Sequence, residues 1–250
     1  MSDLNDRVAL VTGGGSGIGR AAAIALGRDG ARVVVAGRRA AEGEETAGLI
    51  EAAGGRATFV RADLANPDEI EALFEAARRH VGPVTIAFNN AGVQEPRTPL
   101  GGLDPGLYDH VFGVNVRAVL LCMQHEIRHM LEAGGGVIVN NASVSGARNP
   151  NPGLALYSAS KAAVISLTRS AAMEYGPRNI RVNAVSPGRV RTAMMLASGI
   201  ADMSEVARGL PLGRLGRPEE VAEAVVWLAS AASGFVSGHV LAVDGGFLAQ

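Results

Sequence analysis

Val8-Ala9-Leu10-Val11-Thr12-Gly13-Gly14-Gly15-Ser16-Gly17-Ile18-Gly19 is the stretch on which the fold turns. Val8–Thr12 is an unbroken apolar and β-branched run, which reads as a strand buried on both faces. Ile18–Asp29 is alanine-rich and reads as the helix that follows. The glycines between them allow a tight strand-to-helix turn that bares backbone amides at the positive end of the helix. That geometry holds a pyrophosphate. A glycine-rich turn alone is weak evidence; the strand before it and the helix after it are what the mechanism requires.

Working outward, the same alternation recurs. Strands are expected at Val8–Thr12, Arg32–Ala36, Ala57–Arg61, Val84–Asn89, Gly136–Asn141, Ile180–Ser186 and Val240–Val243. Helices are expected near Ile18–Asp29, Ala41–Ala53, Asp68–Arg79, Tyr108–Ala133, Tyr157–Tyr175 and Glu219–Ala229, with Pro67, Pro105 and Pro218 marking starts. The pattern implies a doubly wound (Rossmann) α/β fold: a seven-stranded parallel sheet with helices on both faces. No repeat or linker divides residues 1–250, so a single domain is expected, with an irregular segment at about 189–217 placed where a substrate lid would sit.

Composition removes several classes. The 23 basic and 24 acidic residues nearly cancel, so neither nucleic acid nor an anionic membrane surface is an expected partner. A lone cysteine, Cys122, excludes a disulfide scaffold and suits a reducing cytoplasm. The N-terminal residues lack the order of a signal peptide, and no apolar run approaches the roughly 18 residues of a membrane helix. Glycine is abundant, 33 residues of 250, yet dispersed as turns and ligand loops require.

At this point the chain resembles the short-chain dehydrogenase/reductase family, almost end to end. The matching residues are Thr12-Gly13-x3-Gly17-x-Gly19, Asp63-Leu64, Asn89-Asn90-Ala91-Gly92, Asn115, Ser143, Tyr157-x3-Lys161, and Pro187-Gly188 with Thr192. The resemblance implies an oxidoreductase that interconverts a carbonyl and a secondary alcohol with a nicotinamide coenzyme. It implies that Asn115, Ser143, Tyr157 and Lys161 form the catalytic set. Coenzyme contacts would fall on Gly13, Gly15, Ser16, Gly17, Ile18, Gly19, Asp63 and Leu64 at the adenine end. Asn90, Ala91, Gly92, Pro187, Gly188, Val190 and Thr192, with Tyr157 and Lys161, would serve the nicotinamide end. It further implies a homotetramer.

Elementary chemistry supports the same assignment. Tyr157 and Lys161 sit four apart, on one helix face, so both side chains reach a common ligand. A phenol titrating near pH 10 needs nearby positive charge to work near neutrality, and Lys161 together with an oxidised nicotinamide would supply it. Ser143 would hydrogen-bond the substrate oxygen, and by the resemblance Asn115 would keep a water relay from Lys161. Asn90 reads first as a strand-end support. From Tyr157 to Met173 only Lys161 and Arg169 are charged, too few for a helix facing water. Small residues at 159, 160, 162, 163, 166 and 170 would admit a partner helix closely.

Coenzyme choice rests on the end of the second strand, where Gly37 and Arg38 stand in place of an acid. An acid there would bind ribose hydroxyls, whereas arginine favours a 2′-phosphate. Arg38 and Arg39 therefore favour NADP(H), with NAD(H) as the alternative. The substrate mouth is expected at Val93-Gln94, Ser145, Arg148-Asn149 and Leu156, with Met194, Met195 and Met203 of the lid as a pliable apolar wall. Arg148, Arg189 and Arg191 read as a solvated rim, with a carboxylate contact as the alternative.

Two spellings compete. His125-Glu126-Ile127-Arg128-His129 matches H-E-x-x-H, but no third ligand follows, so no metal is expected and these read as polar positions facing solvent or a partner subunit. Asn141-Ala142-Ser143 spells a glycosylation sequon at a strand end unsuited to it. Other functions on the same fold are a catalytically silent dinucleotide sensor or scaffold, and a nucleotide-sugar epimerase, which would need a larger C-terminal portion.

Overall fold

A computed structural model describes residues 4–198 and 202–250. Its strands are β1 (Val8–Thr12), β2 (Arg32–Gly37), β3 (Arg56–Arg61), β4 (Ile86–Asn89), β5 (Gly136–Asn141), β6 (Ile180–Pro187) and β7 (Val240–Val243). They form one sheet in the order β3-β2-β1-β4-β5-β6-β7, every pairing parallel. Helices α1 (Gly17–Arg28), α2 (Ala40–Ala52), α3 (Pro67–His80), α4 (Leu107–Phe112), α5 (Ala118–Glu132), α6 (Ala155–Tyr175), α7 (Ala193–Leu196), α8 (Met203–Arg208) and α9 (Pro218–Ala229) complete it.

Strand residues alternate between two apolar cores. Val8 and Leu10 pack with α3, α5 and α6 residues such as Phe74, Met130 and Val164. Ala9 and Val11 pack with Leu26 of α1, Ile50 of α2 and Val225 of α9. Both faces are therefore dry, which is why the strands read as continuous apolar runs. The chain winds outward from β1 to β3 and then returns to the other side of β1 as β4, so a crevice opens between the C-terminal ends of β1 and β4.

Element boundaries depart from expectation by a residue or two, with two larger differences. The single helix expected over Tyr108–Ala133 is split by a π-helical turn, Gly113–Arg117, between α4 and α5. In the expected lid, α7 is capped by the Thr192 hydroxyl, which accepts from the Met195 amide at 3.2 Å, and Val190 bridges to Gly216. Residues 199–201 of that segment lie outside the described residues.

The H-E-x-x-H residues do not face solvent as expected. Glu126 and His129 are buried under the sheet, and His129 Nδ1 accepts from the Val84 amide at 3.2 Å. His125 instead stacks on Phe74. Glu126 accepts from Asn89 Nδ2 at 3.0 Å; Asn89 also donates to Asn140 Oδ1, and Asn140 donates to Thr168. This polar chain ties α5, β4, β5 and α6 together across the apolar layer. Among the described residues no group of three or more His, Cys, Asp or Glu is placed to hold a metal ion.

Burial raises the Glu126 carboxyl from 4.5 to about 8, with the Asn89 hydrogen bond pulling the other way. The folded chain thus holds a proton that the unfolded chain releases. The stability this contributes is complete below pH 4.5 and is lost as pH rises through about 8, at about 1.4 kcal/mol per pKa unit. Glu126→Gln keeps an acceptor for Asn89 but cannot ionise. Denaturant midpoints of wild type should fall relative to those of the variant between about pH 5 and pH 9; parallel curves would show that the carboxyl does not titrate in this range.

Candidate active site

A cleft with a cavity of about 360 Å³ runs along the C-terminal ends of the central strands, lined from the β1 turn across to the segment after β6. At its near end, Gly13 and Gly17 have φ of +63° and +53°, a left-handed conformation that costs glycine little. A Cβ on Gly19 would collide with the Gly13 carbonyl and with Asn90 Nδ2. The missing side chain of Gly19 lets α1 approach the end of β4; Gly19 itself is not among the cleft-lining residues. Ser16 is the N-cap of α1, yet its side chain makes no capping bond, so the amides of the first turn are left for an anion.

The turn is fastened to the end of β4. Thr12 Oγ1 accepts from the Asn90 and Ala91 amides at 2.9 and 3.1 Å, and Asn90 Nδ2 donates to the carbonyls of Thr12 and Gly13. Gly15, Ser16, Ile18, Arg38, Arg39, Asp63, Leu64, Ala91 and Gly92 line the cleft with Asn90. Arg39 is occupied, donating to Ser16 Oγ at 2.9 Å and pairing with Glu42 at 2.8 Å. Arg38 is exposed and takes no acceptor among the described residues.

Deeper in, three elements converge. Ser143 follows β5, and its Oγ accepts the Ser145 amide at 3.1 Å. Tyr157 of α6 lines the cleft with Ser143, and the Lys161 ammonium lies 5.7 Å from the Tyr157 ring centroid. Lys161 donates to the Asn141 carbonyl at the end of β5 at 2.6 Å. Burial pushes Lys161 down from 10.5 to about 8. Burial also holds the Tyr157 phenol above its ordinary value; the Ser143 hydrogen bond lowers it and the Glu95 carboxylate raises it. Among the protein's own groups burial outweighs what lowers the phenol; the expected depression takes Lys161 together with an oxidised nicotinamide.

Asn115 sits in the π turn. Its Oδ1 accepts the Val93 amide at 2.8 Å, and its Nδ2 donates to Val93 O and Ser160 Oγ. Both side-chain N–H groups are taken by protein acceptors, and Asn115 braces the loop after β4. The π turn is what aims the side chain there, a common use of such bulges near functional sites.

Glu95 was not anticipated from the sequence. It is 2% exposed and caps α6 from a distant loop, accepting the Leu156 amide at 2.9 Å and the Tyr157 amide on both carboxylate oxygens. The signal was negative: α6 begins after Leu154, which has no capping side chain, so the helix start needs an acceptor from elsewhere.

At the substrate end, Gln94, Ser145, Met194 and Met195 line the cleft as expected, while Leu156 and Arg148 do not. Because α6 starts two residues early, Leu154 shares the face of Tyr157 and takes the place expected of Leu156. Arg148 lies over the Phe247 ring and donates to the Gln250 carbonyl. Pro187, Gly188, Arg189, Val190 and Thr192 line the cleft, with Thr192 against Gly17 of the glycine turn, but Arg191 does not line it.

Comparison with known proteins agrees with this geometry. A family model described as enoyl-(acyl carrier protein) reductase matches residues 13–248. The chain is 44% identical to cis-4-hydroxycyclohexanecarboxylate dehydrogenase of Sinomonas cyclohexanicum, over 98% of this chain and 97% of that one. The crystal structure of 3-ketoacyl-(acyl-carrier-protein) reductase from Brucella melitensis with NADH superposes with a TM-score of 0.92 at 37% identity, covering 98% of this chain and 99% of that one. A Beutenbergia cavernae structure assigned as an NAD(P)-dependent gluconate 5-dehydrogenase, with NADP at low occupancy, gives a TM-score of 0.94 at 39% identity over 99% of each chain. On this sheet order, this cleft and these matches, the chain belongs to the short-chain dehydrogenase/reductase family, oxidoreductases that interconvert CH–OH groups and carbonyls.

Proposed function

We propose that the chain interconverts a secondary alcohol and a ketone with NADP(H), Tyr157 moving the proton. One observation carries this reading: Ser143, Tyr157 and Lys161 line one cleft at the strand ends, with the Lys161 ammonium 5.7 Å from the Tyr157 ring centroid. The uncapped first turn of α1, the left-handed glycines and a cleft long enough to continue past Asp63 fit a dinucleotide. When bound, the nicotinamide supplies the hydride and, in its oxidised form, a positive charge beside the phenol.

Ser143 holds the substrate oxygen while Tyr157 donates its hydroxyl proton to that oxygen in reduction and recovers it in oxidation. Lys161 orients the coenzyme ribose and, as a cation, favours the phenolate. Its pKa of about 8 leaves it charged at neutral pH. Glu95 holds the first turn of α6, and Asn115 the loop bearing Val93 and Gln94. The apolar wall of Val144, Leu154, Met194 and Met195 suits alicyclic alcohols, the type named in the 44%-identical relative. Residues 189–217 act as the lid of a single domain working in the cytoplasm.

Tyr157→Phe should abolish turnover, read by nicotinamide absorbance, while coenzyme binding persists, because only the hydroxyl and little volume are removed. Near-wild-type rate would refute the assignment.

The preference for NADP(H) rests on Arg38, exposed and unengaged at the adenine end. Arg38→Ala should cost about 1.5–3 kcal/mol of charge-assisted contact with the 2′-phosphate. Preference for NADP(H) over NAD(H) should then fall roughly 10- to 150-fold. Gly37→Asp should act in the same direction, and nothing lies within 4 Å of a Cβ there. A wild-type kcat/KM higher with NAD(H) would refute the preference.

A homotetramer is the proposed assembly. On α6, Ala159, Ala162, Ser166, Arg169, Ser170 and Met173 form one exposed stripe, whereas Ser160, expected there, is buried against Asn115. Light scattering at micromolar concentration should give four times the chain mass; a monomer would refute it.

A further inference from the structure

We propose that the substrate carries a carboxylate besides its reacting hydroxyl, and that Arg189, with Arg97 beside it, binds that carboxylate. The inference rests on the alcohol–ketone reading above and names the substrate class within it: hydroxy acids of alicyclic or similarly apolar body, and the corresponding oxo acids.

Arg189 follows Pro187-Gly188 at the end of β6, and its backbone is pinned. Its carbonyl accepts the Gly216 amide at 2.9 Å, and its neighbour Val190 is 5% exposed. The side chain is half-buried and lines the cleft. Its guanidinium takes no acceptor among the described residues. Elsewhere arginines of this chain meet acids, as Arg28 meets Glu223 and Arg214 meets Glu220, both at 2.7 Å. Here the charged group that acts on it is another cation.

That cation, Arg97, lies on the loop after β4 and lines the same cleft. Two of its nitrogens are fixed: Nε donates to the Ser198 carbonyl and Nη1 to the Pro152 carbonyl, both at 3.0 Å. Nη2 is in neither bond. Burial, and then the charge of Arg97, hold the Arg189 guanidinium below its ordinary value, and no acid offsets either effect. A half-buried guanidinium and an exposed one, lining the same cleft as Leu154, Met195 and Ser198, gain from an anion that Arg189 does not receive from the protein. A planar carboxylate matches the guanidinium fork. Arg148 and Arg191, the other arginines near this mouth, do not line it.

The experiment compares wild type, Arg189→Leu and Arg189→Lys on 4-hydroxycyclohexanecarboxylate, its methyl ester and cyclohexanol, with coenzyme KM measured alongside. Wild type should prefer the acid over the ester. Arg189→Leu should lower the acid-to-ester ratio of kcat/KM roughly 10- to 150-fold, mostly through KM, and Arg189→Lys should restore part of it. An equal loss on acid and ester, or a loss confined to coenzyme KM, would overturn the proposal and assign Arg189 to packing or to the coenzyme phosphates. So would a wild type indifferent to the carboxylate. Calorimetric binding of cyclohexanecarboxylate, against its neutral carboxamide, to the coenzyme-loaded protein gives a readout independent of turnover. Selective binding lost in Arg189→Leu supports the site, and equal binding of acid and amide refutes it. If no alcohol or ketone in the panel changes nicotinamide absorbance while the acid still binds selectively, the redox reading fails and the anion site stands.

Discussion

The hydroxyl of Thr12 joins the two strands whose divergence makes the cleft. It accepts two consecutive amides, from Asn90 and Ala91, at the point where β1 and β4 part. Those amides have left the sheet ladder and would otherwise be orphaned in a nearly dry position, where an unpaired backbone group costs about 1–3 kcal/mol. Asn90 returns the bond by donating to the carbonyls of Thr12 and Gly13 and accepts in turn from Asn141 of β5. The glycine turn, the ends of β4 and β5 and the floor beneath the reacting groups are thus one hydrogen-bonded unit. Gly19 keeps that unit compact, because any side chain there would strike both Gly13 and Asn90.

From this unit the reacting residues are braced outward. Lys161 is anchored on the carbonyl of Asn141, Asn115 on Val93, and the first turn of α6 on Glu95. Each brace joins a side chain to a backbone group on a different element, so Lys161 is set by the end of β5 and the first turn of α6 by the loop after β4. Rigid placement of this kind lowers the cost of orienting a substrate for transfer. The same dryness that strengthens these bonds perturbs the titrating groups, lifting the Tyr157 phenol and lowering Lys161 to about 8. A cationic coenzyme beside the phenol would act against the first effect.

The polar chain from Glu126 through Asn89 and Asn140 to Thr168 lies below the site, on the opposite side of the strand ends from solvent. It crosses an otherwise apolar layer and holds α5 and α6 against β4 and β5. A neutral Glu126 makes this arrangement tolerable, since an ionised carboxylate with one oxygen unpartnered in that layer would be expensive.

The family resemblance pointed to Ser143; the sequence alone determined the seven-stranded doubly wound fold, the glycine turn and the shared helix face of Tyr157 and Lys161. Each rests on local chemistry: two-sided burial writes unbroken apolar runs, positive φ calls for glycine, and a spacing of four residues places side chains on one helix face. Only the tertiary structure decided that Glu95 caps α6 from 61 residues before Leu156, that Asn115 braces the loop after β4, that Glu126 and His129 are buried, and which arginines reach the cleft. Those outcomes depend on which polar groups meet across distant segments and on how much water remains beside them. Spacing carries no record of either. His125-Glu126-x-x-His129 spells the same motif whether it faces a metal or a sheet, and Arg148, Arg189 and Arg191 look alike until packing turns one of them inward.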